Sequence, residues 1–209
     1  KTGKCVGALS YPESELAIES PEVGFAEQNP EVWWDCIQKG AAKLFASGKF
    51  DSKQIQAIGI SYQMHGLVVV DADQKVLRPS IIWCDSRAVP LGNAALAEMG
   101  TDYCFGHLLN SPGNFTAAKL RWVQQNQPEI FSKIHKIMLP GDYIAMKLTG
   151  EITTTASGLS EGTLWDFKEQ RVATELLSHW GIDAGLIPNL VPSFGEQGTV
   201  RADVAAALG

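Results

Sequence analysis

The chain has 209 residues, of which 45% are hydrophobic and 19% are charged, and its formal net charge is −6. This composition is typical of a globular protein and excludes a collagen-like fibre, a coiled coil and a disordered tail. No apolar run approaches the roughly 20 residues that span a bilayer, and no basic stripe suits a phosphate backbone. We therefore expect a globular domain that binds neither nucleic acid nor membrane.

The first part of the chain predicts one long helix after a short strand. Turn residues 1–4 precede a strand-like run at 5–10, so the start is either a ragged terminus or the second half of a hairpin. Asn29-Pro30-Glu31 is typical of a helix start, with an N-cap, a proline at the first helical position and an acidic first turn. Gly48 is expected to end this helix.

Three short runs of β-branched and apolar residues follow, at 55–61, 67–70 and 81–83. The polar stretch 71–75 after the second run predicts a hairpin turn. Together the runs predict a small meander, onto which the preceding helix crosses over.

Helical patterns dominate the rest of the chain. Gly150 and Gly181 are expected to end two of these helices, and the Pro- and Gly-rich residues 187–198 predict a connection. Strands with helices between them predict an α/β or α+β class. Helices are expected near 88–99, 116–125, 128 onward, 141–148 and 172–180, with a brief apolar run at 137–139.

The cysteines are few and widely scattered, with no C-x-x-C pattern, which argues against a zinc site. Such thiols in a chain of this length are typical of a reduced, cytosolic protein, and the first residues lead into no signal-peptide core. The four are Cys5, Cys36, Cys84 and Cys104.

One short match to a catalytic motif is rejected on its context. Residues 158–162 read Gly-Leu-Ser-Glu-Gly, which fits the nucleophile elbow of serine hydrolases around Ser160. That elbow needs an apolar strand before the serine, whereas three threonines precede this motif. We interpret it as a chance match. Neither a P-loop nor a dinucleotide fingerprint is present.

Two clusters of polar and aromatic residues stand at predicted strand ends. The first is Gln63-Met64-His65-Gly66, where His65 either contacts a ligand or satisfies a local hydrogen bond, and the glycine lets a substrate approach the backbone. The second, Trp83-Cys84-Asp85-Ser86-Arg87, has the chemistry to clasp a polyol, with the indole on the carbon chain and charged groups on the hydroxyls. A loop-fixing Asp–Arg pair is the alternative, and the pattern alone favours it.

A third cluster lies on the amphipathic stretch 116–126. Its periodicity predicts that Trp122 belongs to the core rather than to a ligand platform. A solvated surface position is one interpretation of Lys119. Alone, none of the three clusters identifies a chemistry.

Taken together, and in their order along the chain, these motifs resemble the N-terminal domain of the FGGY family of carbohydrate kinases. The resemblance covers most of the chain. Within that family, Gln-Met-His-Gly is similar to the form in xylulose kinases, whereas glycerol kinases carry Arg-Glu at the Met-His positions. The motifs are Gly59-Ile60-Ser61-Tyr62-Gln63-Met64-His65-Gly66, Ile82-Trp83-Cys84-Asp85-Ser86-Arg87, Thr116-Ala117-Ala118-Lys119-Leu120-Arg121-Trp122 and Leu139-Pro140-Gly141-Asp142-Tyr143.

The resemblance implies an α/β domain with the actin/hexokinase-like (ribonuclease H-like) fold, one of two that flank a cleft. It implies that ATP, with magnesium, phosphorylates a sugar hydroxyl. It also assigns candidate sugar contacts to Gln63, Met64 and His65, a pocket wall to Trp83, and a brace for that wall to Asp85 and Arg87. A further substrate-facing position holds Asn114, where the family signature prefers an aromatic, small or Met residue.

Two parts that the resemblance implies have no match in residues 1–209. One is an opening strand with an Asp-x-Gly-Thr/Ser phosphate turn, and the other is a general-base Asp in a Gly-Asp motif, expected beyond Gly209. Asp142 and Asp166 lie outside that motif, so neither is assigned the role. We expect residues 1–209 to form one sugar-binding domain that is incomplete at both ends and lacks its ATP-side partner domain. This segment alone is expected to be inactive.

The resulting functional prediction is that the full-length protein converts D-xylulose to D-xylulose 5-phosphate. A kinase for ribulose, gluconate or glycerol, and a non-catalytic sugar-binding module, are the alternatives. A homodimer is plausible only through the family resemblance.

Overall fold

A computed structural model describes residues 3–209, so Lys1 and Thr2 of the predicted N-terminal turn lie outside the described residues. Short strands alternate with helices along this part of the chain. The strands are β1 (Glu27–Gln28), β2 (Val68–Val70), β3 (Ser80–Ile81), β4 (Lys136–Met138), β5 (Thr153–Thr155), β6 (Trp165–Asp166), β7 (Arg171–Val172) and β8 (Asn189–Val191). The helices are α1 (Pro30–Ala46), α2 (Val89–Met99), α3 (Thr101–Tyr103), α4 (Thr116–Asn126), α5 (Pro128–Phe131), α6 (Pro140–Thr149), α7 (Ala156–Glu161), α8 (Thr174–His179) and α9 (Ala202–Leu208), with a π-helix at Cys104–Leu108.

The strands pair two by two. β1 with β3, β2 with β4, and β6 with β7 are antiparallel, whereas β5 and β8 are parallel. In the β2–β4 pair, Val69 lies opposite Ile137. A bridge between Leu67 and Ile81 joins the β1–β3 pair to this ladder.

Strand β2 separates two layers of helices, because successive side chains of a strand point to opposite faces. Val69 packs in a cluster with Leu120 of α4 and Leu176 of α8. Its neighbours Val68 and Val70 pack in a second cluster. That second cluster contains Trp34 of α1, Tyr143 of α6 and Val204 of α9. The α/β prediction is therefore confirmed, and strand β2 lies buried between helices on both sides.

Helix α1 begins and ends where its sequence predicts. The Asn29 side chain accepts a hydrogen bond of 3.0 Å from the backbone N–H of Glu31, which gives one orphan donor of the first turn a partner. Pro30 occupies the first helical position. At the other end Gly48 has φ +65°, a conformation that glycine adopts without steric cost.

Replacing Asn29 with alanine should lower the free energy of unfolding by about 1 kcal/mol, because the first turn loses its side-chain acceptor. The matched control is Asn93→Ala, on the exposed surface of α2, which should leave stability unchanged or slightly raised since alanine favours a helix. Urea denaturation of both variants checks the difference, and equal stabilities would contradict a capping role for Asn29.

Two predicted strands are wrong. Residues 5–10 and 55–61 run without strand pairing, and the side chains of Ile55 and Ile58 are exposed. β-branched residues favour a strand only when a neighbouring strand and a buried face are available. The hairpin turn after β2 is confirmed, because the Asp71 N–H donates to the Lys75 carbonyl at 3.0 Å.

The later helices largely follow the predictions. α2, α4, α5, α6 and α8 lie at the expected places. Gly150 and Gly181 follow α6 and α8 with φ of +81° and +63°. The predicted connection at 187–198 is partly wrong, since it contains β8, which pairs with β5. No helix within residues 3–209 has both the length and the apolarity to cross a bilayer.

Candidate functional site

The candidate site is built on the turn that carries His65. This residue adopts φ +60°, in the left-handed region, and lies three residues before the start of β2. Its backbone N–H donates to the Glu161 carboxylate at 2.7 Å, and its Nδ1 lies 3.0 Å from the Glu161 carbonyl oxygen. The ring also meets Phe115 edge-on, with ring centroids 4.4 Å apart. The turn is therefore held by α7 and by the residue before α4, while its neighbour Met64 is 55% exposed.

The hydrogen bond to Glu161 defines the tautomer of His65. A carbonyl oxygen only accepts, so Nδ1 carries the proton and Nε2 of the neutral ring is an acceptor. Burial lowers the pKa of His65, and the nearby Lys119 ammonium lowers it further. The Nε2 atom of this neutral ring can accept a hydrogen bond from a hydroxyl group.

Gly66 has a packing role rather than the predicted role in substrate approach. It is buried, and a Cβ atom at this position would meet the Pro140 ring at 2.5 Å. The glycine therefore lets the start of α6 pack against the His65 turn.

Trp83 is tied to the His65 turn through the backbone. The Trp83 N–H donates to the Gln63 side-chain oxygen at 3.0 Å, so Gln63 links the two segments. The indole itself is 57% exposed. Two connected segments therefore carry the candidate contacts Met64, His65 and Trp83. The Gln63 side chain connects these segments through its hydrogen bond to the Trp83 backbone.

Asp85 and Arg87 lie behind this surface. Asp85 is fully buried and accepts from the Ala26 N–H at 2.6 Å and from Arg87 Nε at 2.9 Å. The Arg87 guanidinium also lies 2.7 Å from the Glu27 carboxylate and stacks on Phe25 at 3.7 Å from the ring centroid. In this conformation neither residue reaches the surface, so the loop-bracing interpretation fits them and direct substrate contact does not.

Asn114 is part of the same framework. Its side-chain N–H donates to the Asp85 carbonyl oxygen, while its own Oδ1 is buried without a hydrogen-bond partner within residues 3–209. A buried acceptor without a partner is unusual. Asn114 therefore joins the Trp83 loop to the start of α4 and retains one unused acceptor.

The interpretation of Lys119 as a solvated surface residue is wrong. Its side chain is fully buried, and Nζ donates to the carbonyl oxygens of His65 at 2.8 Å and Ile82 at 2.9 Å. Burial lowers the pKa of this ammonium to about 8, against the attraction of Asp85. Lys119 and Glu161 are the site residues that sequence reasoning missed. Lys119 could have been predicted from its position in the motif Thr116-Ala117-Ala118-Lys119. No sequence pattern indicated Glu161.

The two carboxylates that lie outside the expected general-base motif, Asp142 and Asp166, are both buried. Asp166 pairs with His107, with Oδ2 and Nδ1 2.8 Å apart, and accepts from the backbone N–H groups of Lys168 and Glu169. Asp142 lies at the start of α6, where burial raises the pKa of its carboxyl to about 7. Ser160 lies inside α7 and donates to the Ser157 carbonyl at 2.7 Å, which is not the geometry of a nucleophile elbow.

Asp142 predicts a pH dependence of stability. Its pKa is higher in the folded state than in the unfolded chain, where it is about 4, so folding favours the protonated acid. Its contribution to the free energy of unfolding is present below pH 4 and lost as the pH rises to about 7. Asp142→Asn mimics the protonated form and does not ionise. Its free energy of unfolding, relative to that of wild type, should therefore be higher at pH 8 than at pH 5 by at least about 1 kcal/mol. Urea denaturation at both values checks this, and parallel pH profiles would contradict it.

Comparison with known proteins shows that this chain is similar to part of several sugar kinases. The crystal structure of a xyloylose kinase from Brucella ovis superposes with a TM-score of 0.84 at 34% identity, covering 93% of this chain and 40% of that one. A gluconate kinase from Lactobacillus acidophilus has a TM-score of 0.82 at 24% identity, covering 92% of this chain and 39% of that one, and shares the fold. The xylulose kinase of Lactococcus lactis is 33% identical over 94% of this chain and 39% of its own length.

Residues 2–209 match the family described as "FGGY family of carbohydrate kinases, N-terminal domain". The chain belongs to this family, and the predicted actin/hexokinase-like fold is confirmed. It spans about two fifths of the length of the relatives it matches.

Proposed function

We propose that the complete gene product is an ATP-dependent sugar kinase that converts D-xylulose to D-xylulose 5-phosphate, and that this chain supplies the sugar-binding side. The observation that carries the proposal is that Met64, His65 and Trp83 lie on two segments joined by a hydrogen bond, in a chain 33% identical to a xylulose kinase. An exposed indole suits the carbon chain of a sugar, and a neutral imidazole suits a hydroxyl.

We assign the direct sugar contacts to Met64, His65 and Trp83. Gln63, Asp85 and Arg87 act as their support, because their side chains bind neighbouring backbone or charged groups. Asn114 keeps one acceptor without a partner and is the further candidate for a sugar hydroxyl. The support residues fix the spacing between the indole and the imidazole, on which substrate fit depends.

The phosphoryl donor in this proposal is ATP, as family membership indicates, with magnesium as its counter-ion. Within residues 3–209 no three His, Cys, Asp or Glu side chains cluster to hold a metal ion, so we assign no residue of this chain to magnesium. All four cysteines are free thiols, which supports a reduced cytoplasmic location. Homodimerisation stays a prediction from the family resemblance.

A phosphorylation screen of the complete gene product against ketoses and polyols tests the proposal. We expect ATP-dependent phosphorylation with the highest kcat/KM for D-xylulose. A preference for ribulose, gluconate or glycerol would keep the kinase but change its substrate. Sugar binding without ATP hydrolysis would favour the alternative of a non-catalytic sugar-binding module.

A further inference from the structure

Lys119 connects the two segments that carry the exposed side chains of the site. It lies in the first turns of α4, and its ammonium donates to the carbonyl oxygens of His65 and Ile82. One carbonyl belongs to the His65 turn, and the other belongs to the residue directly before Trp83. The two hydrogen bonds therefore fix the separation between the imidazole segment and the indole segment.

A buried ammonium is a costly way to satisfy two carbonyl groups, because the charge is removed from water. The side chain of Lys119 is 0% exposed, and its charge faces Asp85, Arg87 and the Cys84 thiol from the Trp83 loop, and His65 from the turn. Packing alone would be met by an apolar side chain of similar length. The charge and its two directed donors thus point to a role beyond filling space.

We propose that Lys119 is a positioning residue of the sugar site, which holds the His65 turn and the Trp83 loop at the spacing that the sugar requires. The proposal rests on the proposed function. The ammonium also acts on the ring chemistry, since its positive charge disfavours a second proton on His65. Lys119 does not touch the sugar in this proposal, and it acts through His65 and Trp83.

The test compares Lys119→Met with Lys133→Met, an exposed lysine of the same chain, in the complete gene product. We expect Lys119→Met to raise the KM for the sugar at least about 10-fold while the KM for ATP changes less than about twofold, because only the sugar surface is displaced. Lys133→Met should leave both values unchanged. A folded Lys119→Met variant whose sugar KM lies within about twofold of wild type would overturn the proposal.

Lys119→Arg keeps the test decisive if the methionine variant does not fold. Arginine retains the charge but replaces a compact ammonium with a longer planar group, so the sugar KM should again rise while the ATP KM does not. An equal rise in both KM values would indicate a general loss of structure and would overturn the proposal.

The pKa of His65, followed by NMR of histidines labelled at Cε1 and assigned with His65→Gln, separates this proposal from the proposed function. It should rise in Lys119→Met and stay near the wild-type value in Lys119→Arg, because only the first change removes the positive charge. If the wild type phosphorylates no sugar, the proposed function fails. If the wild type does phosphorylate a sugar, an equal pKa of His65 in wild type and Lys119→Met would overturn the positioning role alone.

Discussion

Replacing His65 with alanine should lower kcat/KM for D-xylulose by about 10- to 100-fold, while the fold is retained. The substitution removes a neutral ring whose Nδ1 is held by the Glu161 carbonyl and whose Nε2 is an acceptor. Loss of one hydrogen-bond partner in a desolvated site costs about 1–3 kcal/mol, a range that contains the roughly 1.4–2.7 kcal/mol of a 10- to 100-fold loss. Steady-state kinetics of the complete gene product measure the effect.

Two further variants separate the ring from its backbone. His65 has φ +60°, a conformation that asparagine tolerates well, so His65→Asn should keep the turn and still lower kcat/KM as the alanine variant does. His135→Ala removes an exposed imidazole from the same chain and should leave kcat/KM unchanged. Unchanged catalytic efficiency with D-xylulose in both His65 variants would refute the assignment of this residue to the sugar site.

Local signals in the sequence were sufficient to predict α1, α2, α4, α5, α6 and α8, whereas α3, α7 and α9 were not predicted. The cap at Asn29, the proline after it, and the glycines at 150 and 181 act within a few residues of themselves. Predicted strands failed at 5–10 and 55–61 because a strand depends on a partner elsewhere in the chain. β-branched composition does not indicate whether that partner is present.

The same distinction separates the predicted site residues from the missed ones. His65 and Trp83 stand in motifs that can be read locally, whereas their supports come from far along the chain. Glu161 lies 96 residues from His65, and Lys119 lies 54 and 37 residues from the carbonyls it binds. An amphipathic pattern predicts only which face of α4 is apolar. It does not indicate that a lysine on that helix is paired with backbone oxygens inside the protein.

A buried cluster of four charged side chains lies behind the site and is expected to contribute strongly to stability. It consists of Glu27, Arg78, Asp85 and Arg87. Arg87 Nη1 lies 2.7 Å from the Glu27 carboxylate, and its Nε donates to Asp85 at 2.9 Å. Arg78 also pairs with Glu27, so two carboxylates and two guanidinium groups share one buried region. The Arg87 side chain is 1% exposed and stacks on Phe25 and Trp122. Removing this one cation would leave Asp85 without its guanidinium partner, although the Lys119 ammonium remains near that carboxylate.

Arg87→Met should therefore lower the free energy of unfolding by about 3–5 kcal/mol, since removing one partner of a buried ion pair leaves an uncompensated charge. The matched control is Arg171→Met, which breaks an exposed pair with Glu175 and should cost no more than about 1 kcal/mol. Adding Asp85→Asn to Arg87→Met removes one orphaned carboxylate, so the double variant should lose less than the two single losses together. Urea denaturation of the four variants measures these differences. Additive losses, or an Arg87→Met effect no larger than the control, would mean that the buried cluster is not coupled and does not brace the Trp83 loop.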